Sequence, residues 1–430
     1  MKTNRIRFFY ILNLLPVIGL VVFYYTRYLE GTYSFLIPLG LSFLWLLLTM
    51  VSGKAKGLLF NNISAWWMVY LFLCAIMVII GFSSTNLNFI ISRLPIYLIP
   101  VMGYFMIRHY NIREKGLFLV LFFIVFLANL IYNIFLGFQL PDVFEEQAST
   151  EESIDFSILM NIASSSFISV CYWLIGVLGG ILLSIKKKNI SFLCLLMIVP
   201  TAYYMLFQNT RGTAILLLMI EIAGIVLAFF EPTKQKDRKP YYVFSTVALM
   251  LLVLMVFVPF MGWLMEHLQS ERLAERLNDL VDFRISGGNV NSVKEGSFTE
   301  RILLAQTSLS SFFSSPLSIL IGIGDHTQAF GGDLIKSGIG GHSEFIDVLA
   351  RYGLVGAFIF WNIMRRFYRL LRKQTSNREI VKYVNIVFFI IILTGFLNNI
   401  FQPNMLLFLY LVFPVMIELT DNIIKRSNGK

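Results

Sequence analysis

Apolar blocks recur along the whole of this chain, and their length constrains its fold more than any other feature. The blocks are about 18–22 residues long, and about 20 apolar residues in a helix cross the roughly 30 Å of hydrocarbon in a bilayer. A transmembrane β-barrel has short alternating segments instead. The pattern therefore predicts an all-α polytopic membrane protein. We expect about 12 transmembrane helices, at roughly 8–25, 33–51, 63–82, 89–107, 117–138, 158–185, 190–208, 213–230, 241–260, 343–364, 383–401 and 404–420.

Basic residues are concentrated on one side of the predicted spans. If the N-terminus is inside and the spans alternate, the inside segments hold 25 of the 35 Lys and Arg residues. By the positive-inside rule, both termini are expected in the cytoplasm. The net charge of +10 then reflects contact with the cytoplasmic leaflet and not with nucleic acid. The first block follows Lys2, Arg5 and Arg7 as in a signal peptide. It has no small-x-small cleavage site, so we expect it to be retained as a span.

Several classes of site have no matching pattern in this sequence. The three cysteines, Cys74, Cys171 and Cys194, lie inside apolar runs, and no pair has the spacing of a metal site. We find no Walker loop and no Rossmann glycine pattern after a strand. We therefore expect no disulfide, no metal and no cofactor.

Two predicted outer loops are long. The first, at 139–157, has six Asp and Glu residues and no Lys or Arg. The second, at 261–341, is long enough to carry its own structure. Within it, 273–284 has the apolar spacing of an amphipathic helix on the outer membrane surface. A capping box at 297–300 predicts a second helix, with an apolar face through Ile302, Ala305, Leu309 and Phe313. The domains expected are 1–260 with helices 1–9, the loop 261–341, and 342–430 with helices 10–12 and the cytoplasmic C-terminus.

Three polar residues at the predicted outer boundary are candidates for chemistry. Arg211 lies in a four-residue turn between two spans, where its planar fork suits phosphate oxygens, although interfacial snorkelling would also explain it. Arg301 lies in the first turn of the predicted loop helix, where it forms either an anion site with the helix N-terminus or a surface salt bridge. His342 lies where the glycine-rich loop meets a span, as a general base or as a polar cap.

Three further residues could support His342, and a fourth is an alternative to it. Ser343 and Glu344 follow it directly, and Asp347 lies one turn beyond Ser343, on roughly the same helix face, where it could orient the imidazole ring. His326 is a rival base in the middle of the loop.

Two arginines lie inside predicted spans, where a charge is costly and often functional. Arg93 lies in the fourth span and Arg351 in the tenth. The alternative is that each pairs with a polar group in the bundle, and Glu221 in the eighth span is the obvious buried carboxylate for either.

Three motifs, in order, resemble those of the O-antigen ligase/polymerase superfamily. Residues 209–212, Asn-Thr-Arg-Gly, are similar to the family's Thr-Arg-Gly/Ser turn. Arg301 and 315–324 are similar to its Arg, Pro-Leu and Gly-x-Gly block. Residues 341–356 resemble its histidine motif, which ends in Gly-Leu-x-Gly. This sequence departs from the pattern with Ser343 where Asn is common and with a longer Pro-to-Gly segment.

The resemblance implies a GT-C-like fold and a metal-independent glycosyltransferase in the bacterial cytoplasmic membrane, with its site facing outside. It implies an undecaprenyl-diphosphate-linked oligosaccharide as donor and a glycan as acceptor. His342 would be the base, and Arg211 and Arg301 would bind the diphosphate. Membrane lipids, a flippase and a chain-length regulator are the implied partners, and nucleic acid is not among them.

Four functions are compatible with these features. The first is polymerisation of lipid-linked repeat units into a capsule or O-antigen type polysaccharide. The second is a ligase that transfers the glycan to lipid A core, protein or wall polymer; the acidic loop 139–157 would repel anionic lipid A and so favours the polymerase. A transporter fits twelve spans, but the sequence has no internal repeat. A purely structural protein gives no reason for Arg211, Arg301 and His342 to share one side.

Overall fold

The computed structural model is mostly helical over the residues it describes, which are 2–26, 35–53, 58, 61–80, 86–139, 165–185, 188–205, 212–230, 298–324, 339–341 and 343–428, and no strand occurs among them. A π-helical turn, Phe408–Val412, joins the last two helices. The helices are α1 (Lys2–Thr26), α2 (Leu36–Val51), α3 (Ser64–Ile80), α4 (Asn86–His109), α5 (Ile112–Gln139), α6 (Ser165–Ser184), α7 (Lys188–Tyr203), α8 (Gly212–Phe230), α9 (Phe298–Phe312), α10 (Pro316–Ile321), α11 (Glu344–Lys373), α12 (Arg378–Leu397), α13 (Pro403–Leu407) and α14 (Phe413–Asn428).

The helices confirm the prediction of an all-α polytopic membrane protein. They coincide with eleven of the twelve predicted spans, whereas the ninth, at 241–260, lies outside the described residues. The predicted surface helix at 273–284 and most of the acidic loop 139–157 also lie outside them. Within the part of the chain that the structure describes, five segments are long and apolar enough to cross a membrane: Ile112–Phe138, Ser166–Ser184, Glu344–Lys373, Arg378–Leu397 and Pro403–Ser427.

Helix α11 is longer than the predicted span at 343–364. It runs over 30 residues, Glu344–Lys373, and its last turn contains Arg372 and Lys373. Basic side chains near a helix C-terminus interact favourably with the helix dipole, so the helix continues past the point where the apolar sequence ends. Hydropathy located the membrane crossing, but not the end of the helix.

Helix α9 begins and ends close to the predicted positions, but the face that it buries is not the predicted apolar face. The buried side chains are Leu304, Ser308 and Phe312, one turn apart, whereas Phe313 is 66% exposed. A serine therefore lies in the middle of the buried face. Its partner, described below, is distant in sequence, and the apolar spacing of the helix carries no sign of it.

The described chain forms two compact units. The first contains Met1–Asn129, Leu304–Thr375 and Asn398–Lys430. It has an aromatic core around Trp67, whose indole Nε1 donates to the hydroxyl of Tyr410 at 3.0 Å and whose ring is 4.6 Å from that of Phe401.

The second unit contains Leu130–Leu303 and Ser376–Leu397. Here Tyr172 and Trp173 of α6 hydrogen-bond the hydroxyl of Thr394 in α12, at 2.8 and 3.2 Å. Glu221 of α8 is buried, and a Cβ at Gly176 of α6 would collide with its carboxyl group. The glycine at position 176 thus leaves room for the Glu221 side chain between α6 and α8.

In the first unit, α11 is kinked at Gly353, and the kink interlocks with the end of α10. Gly353 has φ 60° and ψ −157°, a backbone conformation that is essentially restricted to glycine. The carbonyls of Ala350 and Arg351, just before the kink, accept hydrogen bonds from the backbone N–H groups of Ile323 and Gly324 at 2.8 and 3.0 Å. The Gly-x-Gly and Gly-Leu-x-Gly motifs therefore bind each other through the main chain.

Substitution Gly353→Ala should destabilise the protein by roughly 1–3 kcal/mol, because alanine is strained in this conformation. A Cβ at this position would also collide with the backbone of Leu320. Thermal unfolding in detergent measures the effect. Gly116→Ala in α5 is the matched control, since no atom lies within 4 Å of its added Cβ. Equal melting temperatures for the two variants would contradict the interlock.

Candidate functional site

The residues on either side of His342 are held by hydrogen bonds from three separate parts of the first unit. We call Gly340, Gly341, Ser343 and Glu344 the histidine frame. Ser343 is the N-cap of α11, and its hydroxyl accepts from the backbone N–H of Ile346 at 3.4 Å. A serine in this position satisfies one of the free N–H groups at a helix start, so the local sequence itself sets where α11 begins.

Asp347 and Ser308 hold the frame from the side of α9. One carboxylate oxygen of Asp347 accepts from the Ser308 hydroxyl at 2.7 Å, and the other accepts from the backbone N–H of Ser343 at 3.2 Å. The Ser308 oxygen in turn accepts from the backbone N–H of Gly340 at 2.8 Å. Ser308 and Asp347 are buried, so each bond lies in a medium of low dielectric. Asp347 thus binds Ser343 directly and Gly340 through Ser308, on the two sides of position 342.

The turn between α12 and α13, which follows the frame in the sequence, also binds it. The side-chain amide of Asn399 donates to the carbonyl of Gly341, and the Asn398 carbonyl accepts from the backbone N–H of Glu344 at 3.4 Å. The Glu344 carboxylate accepts from the backbone N–H of Phe401 at 3.2 Å. All four residues of the frame therefore have a partner outside their own segment or within the first turn of α11.

A charged cluster lies at the start of α11. Arg351 and Arg93 both interact electrostatically with the buried carboxyl group of Glu344. Glu344, and not Glu221, is thus the carboxylate on which these two arginines act. Glu221 belongs to the second unit, and within the described residues neither of its carboxylate oxygens has a hydrogen-bond partner. A carboxyl group beside an intramembrane arginine lowers the cost of burying its charge.

The structure describes some of the predicted site residues and leaves others untested. Ser343, Glu344, Asp347 and Arg93 lie in the first unit, as described above. Three others, Arg211, His326 and His342, lie outside the described residues. Arg301 lies in the first turn of α9, and its side chain is outside them too. The predicted roles of these four residues remain predictions.

Sequence reasoning missed Ser308, Asn398 and Asn399. The signal for Ser308 was its position between Leu304 and Phe312, one turn away on each side. Paired asparagines between two apolar helices were the signal for Asn398 and Asn399, because asparagine amides and carbonyls bind backbone groups that helix ends leave free. Among the described residues, no cluster of three or more His, Cys, Asp or Glu side chains could hold a metal ion.

Comparison with known proteins identifies the segment that contains this site. Residues 192–361 match the family model described as O-Antigen ligase. A relative named O-antigen ligase, from Escherichia coli (strain K12), is 27% identical over 195 residues, which are 43% of this chain and 42% of the relative. These matches support the O-antigen ligase/polymerase superfamily. That family is the one that the three sequence motifs predicted, and the chain spans less than half the length of this relative.

The matched segment contains all three motifs of the superfamily. It includes Arg211, Arg301 and the histidine frame, and it ends eight residues after Gly353. The turn at 398–401, which holds Gly341 and Glu344, lies beyond its end. The frame therefore depends on residues inside and outside the O-antigen ligase segment.

Substitution Ser308→Ala should lower the free energy of unfolding by roughly 1–3 kcal/mol, because it leaves a buried N–H group and a carboxylate oxygen unsatisfied. We expect faster amide hydrogen exchange in peptides that contain 339–341. Ser310→Ala is the control, since Ser310 is exposed and donates only to the Thr307 carbonyl within the same helix. If both variants exchange at the wild-type rate, Ser308 does not hold the frame.

Proposed function

We propose that this protein is a glycosyltransferase that polymerises polyprenyl-diphosphate-linked oligosaccharide repeat units into surface polysaccharide. The observation that carries the proposal is that one segment, matched to the O-antigen ligase family, contains both arginines and a histidine whose neighbours are held on both sides. A position held in this way is suited to a residue that must meet a substrate in a fixed geometry.

The reaction would need one base and one anion site. A hydroxyl of the acceptor glycan attacks the anomeric carbon of the donor, its proton passes to His342, and the bond from that carbon to the diphosphate oxygen breaks with inversion. The lipid diphosphate leaves with the electron pair, and Arg211 and Arg301 stabilise its charge. Because a diphosphate is a good leaving group, neither a metal ion nor a strong general acid is required.

Asp347 supports this chemistry through the main chain. Its two oxygens are engaged by Ser308 and by the N–H of Ser343, so its contribution would be to fix the positions on either side of His342. Glu344 contributes in the same way through the turn at 398–401. The two acidic residues closest to His342 in the described sequence would therefore be positioning residues.

A ligase is the second candidate, and the observation behind it is that both the family model and the Escherichia coli relative carry the name O-antigen ligase. It would use the same donor and the same base, and it would differ in the acceptor. We place the site on the outer face of the bacterial cytoplasmic membrane, with both termini in the cytoplasm. A flippase that supplies the donor and a chain-length regulator are the partners that this placement suggests.

Purified protein mixed with lipid-diphosphate repeat units, without metal or nucleotide, tests the proposal. Growth of a lipid-linked chain supports the polymerase, and transfer only to an added acceptor such as lipid A core supports the ligase. Turnover in neither case would contradict both.

In the same assay, His342→Ala should reduce the rate by about 10²–10⁴-fold, the usual contribution of a general base. His326→Ala is the control, because it removes the other histidine of the loop and should retain activity. Glycan of normal length from His342→Ala would contradict its assignment as the base. If His326→Ala is inactive and His342→Ala is active, His326 is the base instead.

Substitution Arg211→Lys should reduce the rate by about 10–100-fold, since a point charge replaces a bidentate fork on the diphosphate. Arg238→Lys, in a predicted cytoplasmic segment, is the matched control and should be unaffected. Full activity of Arg211→Lys would favour interfacial snorkelling as the reason for this arginine.

A further inference from the structure

Residues 302–324 have a feature that the proposed reaction does not explain. This segment, within a loop predicted to face water, contains no charged residue between Arg301 and Asp325, a run of 23 positions. It comprises α9 from Ile302 onwards, a tight turn, and α10, so it is a helical hairpin. We call 302–324 the serine hairpin, because six of its residues are serines. A water-exposed hairpin of this length usually contains charges.

The hairpin contacts the membrane-crossing helix α11 at two levels. Near its beginning, Ser308 hydrogen-bonds Asp347 in the first turn of α11. Near its end, a Cβ on Gly353 would collide with the backbone of Leu320, so the two chains touch there. From Asp347 to Gly353 a helix rises about 9 Å. After Leu320 the chain turns back along α11, because the backbone N–H groups of Ile323 and Gly324 donate to carbonyls that precede the kink at Gly353.

Gly353 lies near the start of the longest uncharged stretch of α11. The stretch 352–364 is the uncharged run of 13 residues between Arg351 and Arg365. Because charged side chains are excluded from the bilayer centre, this stretch contains the segment of α11 that crosses it. The hairpin therefore reaches the level of the hydrocarbon and turns back.

The side chains that the hairpin exposes are apolar. Phe313 is 66% exposed, Leu317 64% and Leu320 54%, values similar to those of Leu354 and Phe358 on α11, at 51% and 61%. The backbone of Leu320 lies against Gly353, the residue before Leu354, so exposed apolar residues of the hairpin and of the span are attached to backbone segments that touch. Large exposed apolar faces on a membrane helix are where lipid chains pack.

The serine hydroxyls at the turn have protein partners. Ser314 donates to the Ser311 carbonyl at 2.8 Å, and Ser318 donates to the Phe312 carbonyl at 3.0 Å. The Ser315 hydroxyl accepts from the backbone N–H of Ser318 at 3.0 Å and lies 3.1 Å from its hydroxyl. In hydrocarbon no water can satisfy a polar group, so internal satisfaction of this kind is required there.

We propose that the serine hairpin is a re-entrant element whose tip, from Phe313 to Leu320, is embedded in the hydrocarbon of the bilayer leaflet on the loop side. Lipid covers this tip: acyl or polyprenyl chains pack on Phe313, Leu317 and Leu320. Because Ser308 of the same hairpin bonds Gly340 and Asp347, the depth of the hairpin in the bilayer sets the height of the histidine frame above it. This second consequence rests on the proposed function.

Single cysteines in a cysteine-free background, in lipid nanodiscs, test the proposal directly. The protein carries Leu317→Cys at the tip, Gln306→Cys as the water-facing control, or Trp361→Cys as the lipid-facing control on α11; all three side chains are exposed. Each cysteine is treated with a charged maleimide, or labelled with an environment-sensitive fluorophore and quenched by doxyl lipids.

We expect Leu317→Cys to react with the charged maleimide at least about tenfold more slowly than Gln306→Cys, because the reagent is excluded from hydrocarbon. Its fluorophore should be quenched by doxyl lipids as strongly as that on Trp361→Cys. Reaction as fast as at Gln306→Cys would overturn the proposal. Slow reaction without lipid quenching would also overturn it, since another protein surface would then cover the tip.

The positioning consequence has its own test in the polymerisation assay. Leu317→Glu places a charge at the tip and should reduce glycan synthesis by at least about tenfold, whereas Leu317→Phe should retain it. Full activity of a Leu317→Glu protein whose tip has left the lipid would overturn the link between hairpin depth and the site. If wild-type protein makes no glycan, the proposed function fails, and the quenching and labelling results still decide whether the hairpin is in the membrane.

Discussion

The main-chain bonds between the end of α10 and the kink of α11 are the constraint on which the rest of the first unit depends. In a regular helix through Gly353, the carbonyls of Ala350 and Arg351 would accept hydrogen bonds from residues of the same helix. They would then not be free to bind the chain at 322–324. The conformation at Gly353 turns the helix, and the carbonyls of Ala350 and Arg351 accept the N–H groups of Ile323 and Gly324. The hairpin is thereby fixed against α11, and Ser308 is brought to Asp347.

From this fixed hairpin, the hydrogen bonds extend to the residues around His342. Ser308 contacts the frame from before the loop, and Asn399 contacts it from after α12, so segments almost a hundred residues apart meet at one place. Buried networks of this kind specify one geometry when every member is satisfied, since any rearrangement leaves a polar group unpaired. Rigid support of a single histidine is what a general base near a membrane boundary would need.

The sequence predicted the helices well and the contacts between them poorly, for one physical reason. Apolar length locates a membrane span, but in a bilayer an exposed Phe313 costs little, so apolar spacing does not reveal which face of α9 packs on protein. The polar residue that does pack, Ser308, is recognisable only through Asp347, 39 positions away. In the same way, Glu221 was the obvious buried carboxylate from hydropathy, whereas Arg93 and Arg351 interact electrostatically with Glu344. The family motifs predicted the superfamily correctly because they combine residues of distant segments in one pattern.

The interlock also changes how these motifs can be used to recognise function. Gly322 and Gly353 both have positive φ, and each lies against the backbone of the other's segment, so the glycines of two motifs are explained by folding alone. If His342 is the base, as proposed above, a homologous chain that retained these glycines but carried another residue at that position would keep the architecture and would be a pseudoenzyme. The residue at position 342, and not the glycines around it, is therefore the one to inspect when activity is assigned to a homologue.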